Sequence, residues 1–300
     1  MTKCPVCGVN FQKGDYESLA KHISQLNGKN DPFHVGFIKD YIPMDNPDSP
    51  QFPSKLKGFF QINGNSLADW MTSVFVNRFY GEKPHQFMET MQRPKKSIFL
   101  GFGVEYYFFL KQKLKSLSYV MAKTNYDDVQ RFEAKIIMPE FLNDGTEGKS
   151  QFSLLFKMCE TLGVNKDTIA ASSPLPPTLH SVKLWSSIAE SDPWIEVMTS
   201  MNPLDILYSP KIKEKGAKTF FYGEGVLTNE WIPDQAKEFL AFLSDPSRDF
   251  AFEGLKVIEK YAKELDAIES VQAVFIRSLD ALDRHLIARV TRARQYEGKA

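Results

Sequence analysis

Cysteine is scarce in this sequence, and charge of neither sign predominates. Only three cysteines occur among 300 residues, and two of them form the pair Cys4 and Cys7. A disulfide framework needs more cysteines spread along the chain, so the pair indicates a metal site in a reducing compartment. Lysine plus arginine and aspartate plus glutamate number 37 each. No overall field therefore draws the chain to nucleic acid or to an anionic membrane, and a charged partner has to meet a local patch.

Long apolar runs and export signals are also missing. The most apolar stretch, residues 98–110, is 13 residues long and contains Glu105, whereas a helix that crosses a bilayer needs about 20 residues. The N-terminus, MTKCPVCG, has neither a basic segment followed by an apolar one nor a small-residue cleavage site. We therefore expect a cytoplasmic protein with no membrane span.

Three common catalytic fingerprints are absent as well. The sequence has no G-x4-G-K-[ST] phosphate loop and no G-x-S-x-G nucleophile elbow. Gly101-x-Gly103 lacks the third glycine of a dinucleotide motif and continues into an aromatic helix. Nucleotide-dependent and serine-hydrolase chemistry are thus disfavoured.

Composition divides the chain into three parts. Residues 1–41 contain the cysteine and histidine cluster, residues 42–57 contain four closely spaced prolines and are predicted to be a linker, and residues 58–300 form a helical domain. In the third part apolar residues recur at intervals of three and four, which is the pattern of amphipathic helices. No stretch alternates over more than a few positions. The predicted fold class is all-α apart from the small N-terminal module.

Several helix boundaries can be predicted from turn and cap residues. The third helix is expected to end around Phe141, where Pro139 and the turn at 143–145 break it, and Thr178 is expected to cap a later helix. Residues 201–230, which are rich in proline, glycine and lysine, are predicted to form an irregular insertion. The predicted helices begin near residue 66 and cover about 97–121, 127–141, 150–162, a segment after Pro177, and 268–290.

The N-terminal cluster has the spacing of a small metal-binding module. Two thiolates from a tight knuckle and two imidazoles give Zn²⁺ four ligands of suitable softness. Asp31-Pro32 predicts the start of a short helix that would present His34 from its first turn. The full pattern is Cys4-x2-Cys7-x3-Phe11-x7-Leu19-x2-His22-x11-His34.

This pattern resembles the two-Cys two-His zinc finger family, in its archaeal-type single-finger form, over residues 4–34. The resemblance implies one bound Zn²⁺ with Cys4, Cys7, His22 and His34 as its ligands. Two spacings depart from the family, which usually has five residues between the apolar pair and three to five between the histidines. A single finger reads about three base pairs and normally needs neighbours, so a structural or protein-contact role is preferred to nucleic-acid binding.

Two stretches of the helical part, FLGFGVEYYFFLKQKL with the later NDGTEGKSQFSLLFKMCETLGV, and PLPPTLHSVKLW, resemble the heme-oxygenase-like superfamily. That superfamily includes thiaminase II, pyrroloquinoline quinone synthase and diiron oxidases, and the resemblance implies a helical bundle over about 65–290. In its diiron branch the ligands are glutamates, a Glu-x6-His pair and a His-x3-Asp-x2-His helix. Here Glu140-x6-Glu147 offers no histidine and Phe152 stands where one is expected. We therefore expect no diiron centre.

Glu105 is the candidate catalytic residue, because it lies in a helix that is aromatic on every side. A carboxylate buried there could donate or accept a proton toward a ligand held among tyrosines. The alternative is that Glu105 points outward or pairs with Lys111 or Arg131. The sequence alone leaves both interpretations open.

The preferred functional interpretation is a zinc-binding protein whose helical domain binds a small, largely apolar molecule without the diiron ligand set. One alternative is an oxidoreductase or hydrolase of the same superfamily that uses Glu105 and other carboxylates. Another is a nucleic-acid-associated regulator that uses the finger and a basic C-terminal helix, where His285 lies among arginines. A protein partner or a second copy of the chain also fits the finger. The arginines of that helix are Arg284, Arg289, Arg292 and Arg294.

Overall fold

The protein is a helical bundle with a small module of two strands and two helices at its N-terminus. The structure, a computed structural model, describes residues 1–62, 64–142 and 150–297. The N-terminal elements are β1 (Thr2–Lys3), β2 (Asn10–Phe11), α1 (Tyr16–Gly28), α2 (Pro32–Tyr41) and α3 (Phe52–Phe60).

Helices account for the rest of the described secondary structure, which confirms the predicted helical fold class. Short 3₁₀ helices cover Pro210–Lys215 and Pro246–Arg248. No helix in the described ranges combines the length and apolarity that crossing a bilayer requires. The α-helices are α4 (Leu67–Tyr80), α5 (Gln86–Gln92), α6 (Lys96–Lys123), α7 (Asp127–Leu142), α8 (Gln151–Thr161), α9 (Lys166–Ala171), α10 (Pro176–Ser191), α11 (Trp194–Tyr208), α12 (Asp234–Leu243), α13 (Phe250–Glu264) and α14 (Ile268–Arg294).

The two longest helices, α6 and α14, pack against each other at the centre of the bundle. Their backbones approach closely at Gly101, where an added Cβ would lie 2.3 Å from the carbonyl oxygen of Arg289. Glycine is therefore needed at this crossing, because a larger residue would force the helices apart. Helices α10 and α11 pack on both α6 and α14, while α7 and α8 cover the other side of α6.

The linker predicted for residues 42–57 overlaps a helix, since α3 begins at Phe52. Pro53 lies in the first turn of α3, where proline is tolerated because the missing N–H has no intrahelical partner. The apolar side chains of Phe52 and Leu56 are buried, and α3 packs against α1. The closely spaced prolines of residues 42–57 thus belong partly to an irregular segment and partly to the first turn of a helix.

The irregular insertion predicted for residues 201–230 is wrong for its first eight residues, which belong to α11. Pro203 lies inside this helix and removes one backbone hydrogen bond. Burial outweighs that loss, because nearly all of α11 is buried against α6, α13 and α14. Residues 216–230 are largely irregular, as expected.

Helix α7 extends through Pro139 to Leu142, within one residue of its predicted end at Phe141, and the predicted turn at 143–145 lies outside the described residues. One further helix boundary differs from the prediction. Helix α10 begins at Pro176, so Thr178 is not its cap but a buried residue of its first turn. Gly163 has the left-handed φ of +94° expected of a residue that ends a helix.

Candidate metal centre and internal cavity

A tight knuckle holds the two N-terminal cysteines. The amide of Gly8 donates to the carbonyl of Cys4 at 3.0 Å, and the amide of Cys4 donates to the carbonyl of Val9 at 2.8 Å. Gly8 has a φ of +78°, which only glycine adopts without strain. The turn leaves the Cys4 thiol buried and the Cys7 thiol exposed. The hydrogen bond between the two thiols lowers the pKa of Cys7.

Each ligand histidine lies on its own helix. His22 projects from α1, which is capped by Asp15, and its ring packs against that of Phe11. His34 lies in the first turn of α2, which begins at Pro32 as the sequence predicts. The unusual spacing of eleven residues between the histidines is therefore explained, because a second helix supplies the fourth side chain.

The four predicted side chains converge on one point. The ligand atoms of Cys4, Cys7, His22 and His34 all lie within 4.8 Å of one another. The Sγ of Cys7 is 3.2 Å from Nε2 of His22, and the Sγ of Cys4 is 3.6 Å from Nε2 of His34. Ligand atoms on one tetrahedral Zn²⁺ lie about 3.3–3.8 Å apart, given bonds of about 2.0–2.3 Å. The cluster therefore fits a tetrahedral metal ion.

Asp31 holds the imidazole of His34 in the orientation that a metal ligand requires. Its Oδ1 lies 2.6 Å from Nδ1 of His34 and also accepts the backbone N–H of His34 at 3.0 Å. A carboxylate on Nδ1 keeps the proton there and leaves the Nε2 lone pair toward the cysteines. The same side chain thus caps α2 and orients the ligand.

The module is attached to the bundle by ionic contacts from its first strand. The ammonium of Lys3 is buried and pairs with Glu196 of α11 and with Asp192 at 3.3 Å. Thr2 donates a hydrogen bond to Glu269 of α14. On the knuckle, Gly8 packs against the guanidinium of Arg277, which an added Cβ would approach to 2.7 Å. The cluster of two cysteines and two histidines is therefore adjacent to the bundle, and the module that holds it contacts α11 and α14.

Glu105 is fully buried on α6 and is paired. Its Oε1 accepts a hydrogen bond from Nε of Arg292 at 2.7 Å, and its other oxygen lies 3.3 Å from the amide of Leu175. The cationic partner is thus Arg292 of α14 and not Lys111 or Arg131. The carboxylate joins α6, the segment before α10, and α14. It is not among the side chains that line the internal cavity.

A small cavity of about 30 Å³ lies between α6, α11 and α12. This is about the space of two water molecules. The hydroxyl of Tyr106 donates to Oε1 of Gln151 at 2.8 Å, and Lys113 pairs with Asp205. Lys113 lies on α6 and Asp205 lies on α11, so the cavity presents these charged groups in fixed positions. Its walls also include Tyr208, Ser209, Phe242, Leu243, Arg248, Asp249 and Phe250.

The side chains that line the cavity differ from those of the diiron signature. They include no histidine and three carboxylates, Asp205, Asp245 and Asp249, and two of these, Asp205 and Asp249, are already paired with lysines. Two irons need about six protein ligands, mostly histidine and carboxylate. The residues present do not fit an iron pair. Asp205 was not recognised as a site residue from the sequence, because the segment containing Pro203 was predicted to be an irregular insertion.

Glu133 of α7 is a second buried carboxyl group that sequence reasoning missed. It is fully buried, and neither side-chain oxygen has a hydrogen-bond partner in the described part of the chain. Burial, reinforced by the negative charge of Asp205, raises the pKa of Glu133 to about 8. The group is therefore protonated at neutral pH. The signal available in the sequence was its place on the apolar side of α7, next to Phe132 and near Ile136.

The C-terminal helix does not present its arginines as one exposed face. Arg289 and His285 are fully buried, and Arg292 is paired with Glu105. Burial, followed by the charge of Arg289, lowers the pKa of His285 well below its usual value. His285, which was predicted to belong to a basic helix end, lies in the core beside Arg289. The long apolar stripe of α14 continues around these residues and places them in the core.

Comparisons with known proteins agree with this architecture. The sequence matches the TENA/THI-4/PQQC family over residues 72–293, which leaves the metal cluster outside the match. A TenA homolog from Pseudomonas syringae pv. tomato has 15% identity and a TM-score of 0.55, covering 75% of this chain and 91% of that one. A domain of unknown function with a heme oxygenase-like fold from Shewanella denitrificans has 15% identity and a TM-score of 0.54, covering 78% and 93% respectively. No curated protein matches. The family match spans well over half of the chain. The chain therefore belongs to the TENA/THI-4/PQQC family.

Proposed function

We propose that this protein binds one Zn²⁺ through Cys4, Cys7, His22 and His34, and that the metal fixes the N-terminal module on a bundle that binds a small molecule. The observation that carries the zinc proposal is the convergence of the four ligand atoms within 4.8 Å. Four protein ligands leave no open coordination position, which is typical of structural sites. The proposed role of the metal is therefore to stabilise the module.

Cobalt substitution tests the ligand set directly. Co²⁺ bound by two thiolates in a tetrahedral site gives sulfur-to-cobalt charge-transfer absorption and intense d–d bands. We expect both in the wild-type protein and weaker charge transfer in Cys7→Ser. The variant Cys159→Ser is the control, because Cys159 is buried in the bundle. Charge-transfer bands that persist unchanged in Cys7→Ser would refute the assignment.

The cavity between α6, α11 and α12 supports the small-molecule proposal. Aromatic rings form part of its wall and suit an apolar group of a ligand, whereas the more numerous polar residues, among them Lys113, Asp205 and Arg248, suit a polar group and can fix the orientation of the ligand. A catalytic use of Glu105 has less support, because that carboxylate is paired with Arg292. The nucleic-acid alternative also has less support, since Arg289 is buried.

A cavity-filling substitution tests ligand binding. Leu243 lines the cavity, so Leu243→Trp should abolish the binding of the smallest organic fragments, those with a group that fits the space of about two waters, that ligand-observed NMR detects with the wild-type protein. Leu265→Trp is the matched control, because Leu265 is 42% exposed. Fragments that bind the Leu243→Trp protein as well as the wild type would show that the cavity is not the site.

A further inference from the structure

Arg289 is a permanent cation with no carboxylate beside it. Its side chain is fully buried, and among the described residues no acidic group forms an ion pair with it. The guanidinium lies over the ring of Phe102 at 4.3 Å and near the rings of Phe87 and Tyr106. Aromatic faces offset part of the free-energy cost of desolvating a cation, but they add no negative charge. The core around Arg289 therefore retains an uncompensated positive charge.

The hydrogen bonds of Arg289 fix the direction of two neighbouring groups. Arginine only donates, so Nε2 of His285 at 3.0 Å must accept, and Nδ1 of His285 then donates to Oγ1 of Thr178 at 3.1 Å. Arg289 also donates to the hydroxyl oxygen of Tyr208 at 3.0 Å. The hydroxyl oxygen of Tyr208 thus already accepts a hydrogen bond, and the O–H of Tyr208 has to point away from the guanidinium.

The O–H of Tyr208 has no acceptor in the described part of the chain, and Tyr208 lines the internal cavity. The neighbouring phenol, Tyr106, differs in that its O–H is already donated to Gln151. A phenol that accepts from a buried guanidinium is polarised and becomes a stronger donor. The cavity therefore presents one charge-assisted donor without an acceptor.

The cavity wall carries ionic groups beside this donor, including Arg248, whose guanidinium lies over the ring of Phe242 at 4.1 Å. Lys113 is paired with Asp205, and the buried Asp249 is paired with Lys211 at 3.1 Å and accepts from Ser209 at 2.9 Å. The second oxygen of Asp249 is buried without a partner, so a donor group of the ligand also has a place to bind. The cavity has room for about two water molecules, which the two oxygens of a carboxylate could replace.

We propose that Tyr208, backed by Arg289, makes the cavity selective for a small molecule with a carboxylate, whose oxygen accepts the Tyr208 O–H. The ligand's negative charge then compensates Arg289 through the intervening phenol. This inference rests on the proposed small-molecule site and adds the charge of the ligand to it. Tyr208 is the binding residue, and Arg289 is a positioning residue that acts through it.

Three methyl-bearing probes of similar size distinguish a carboxylate-selective site from a small-molecule site without that selectivity: acetate, acetamide and methylammonium. Their affinities for the zinc-loaded full chain can be measured by saturation-transfer NMR on the methyl protons at constant ionic strength. We expect acetate to bind at least 10-fold more tightly than acetamide. Tyr208→Phe should weaken acetate binding at least 10-fold, whereas Tyr80→Phe, which alters a buried tyrosine outside the cavity wall, should change it less than 3-fold.

A second variant covers the case in which Tyr208→Phe fails to fold. Arg289→Gln retains a hydrogen-bond donor and removes the charge, so the preference for acetate over acetamide should fall below 3-fold. Preferential binding of acetamide or methylammonium would overturn the carboxylate inference and leave the small-molecule site standing. Absence of binding by all three probes, or unchanged acetate binding in both variants, would also overturn it.

Discussion

Nδ1 of His34 lies 2.6 Å from Oδ1 of Asp31, the residue that also caps the helix carrying His34. Carboxylates behind ligand histidines typically change metal affinity 10–100-fold. We expect Asp31→Ala to weaken zinc binding by about that factor in a competition titration with a chelator.

The control for Asp31 is Asp15→Ala. Asp15 caps α1, the helix of His22, by accepting the amide of Ser18 at 3.0 Å. The Asp15→Ala substitution removes a helix cap of the same kind, but it removes no carboxylate that is hydrogen-bonded to a ligand histidine. Equal losses of zinc affinity in the two variants would show that Asp31 acts only as a cap.

Lys3 should contribute more to stability than its position near the N-terminus suggests. Its ammonium is buried between Asp192 and Glu196, and Glu196 is itself buried. Removing one partner of a buried pair leaves an uncompensated charge and costs about 3–5 kcal/mol. We expect Lys3→Met to lower the free energy of unfolding by that amount in urea denaturation.

Lys13→Met is the matched control for Lys3. Lys13 pairs with Asp266 on the surface, and exposed pairs contribute about 1 kcal/mol or less. A Lys3→Met protein as stable as Lys13→Met would mean that the contact between β1 and α11 contributes little to docking.

Glu105 and Arg292 should be energetically coupled. Glu105→Gln removes the charge that the Arg292 guanidinium faces, so we expect a loss of about 1.5–3 kcal/mol, the range for hydrogen bonds to charged groups. The coupling energy is measurable by a double-mutant cycle with Arg292→Gln. A Glu105→Gln protein of unchanged stability that has lost ligand binding or turnover would favour the catalytic hypothesis instead.

Glu133 should make stability depend on pH. Burial raises the pKa of its carboxyl to about 8, so between pH 6 and pH 8 the folded protein keeps a proton that the unfolded chain has lost. The unfolded state then binds fewer protons, and the free energy of unfolding falls as pH rises, by about 1.4 kcal/mol per pH unit. The decrease should level off above pH 8.

The measurement is urea unfolding at pH 6, 7 and 8, compared with that of Glu133→Gln. The variant has no titrating group at this position, so its difference from the wild type should grow steadily toward pH 8. Glu253→Gln, on the exposed side of α13, should follow the wild type. Parallel pH profiles for Glu133→Gln and the wild type would contradict a protonated Glu133.

Local patterns in the sequence predicted the long helices and pointed to the four side chains that converge in the N-terminal module. Cys4, Cys7 and His22 are close in sequence, and the cap residues Asp31-Pro32 indicated the helix that brings His34 to them. Helix α14 has an apolar stripe that follows the helical period over its whole length. In both cases the physical cause of the structure lies within one segment.

The internal cavity could not be predicted in the same way, because its residues come from segments far apart in sequence. Lys113 and Asp205 are separated by 92 positions, and neither has a local signal that distinguishes it from a surface charge. Arg289 was interpreted as part of a basic helix end, because a buried guanidinium without an acidic partner is rare. Pro203 also prevented the prediction of α11, because helix propensity alone does not show that packing outweighs one lost backbone hydrogen bond.

The metal content of the purified protein tests the central claim most directly. Elemental analysis should find about one zinc per chain, without iron, in the wild type and in Cys159→Ser, and almost none in Cys4→Ser and Cys7→Ser. A wild-type protein that contains no zinc and takes up none when zinc is supplied would contradict the account. So would a zinc content that is the same in all four proteins.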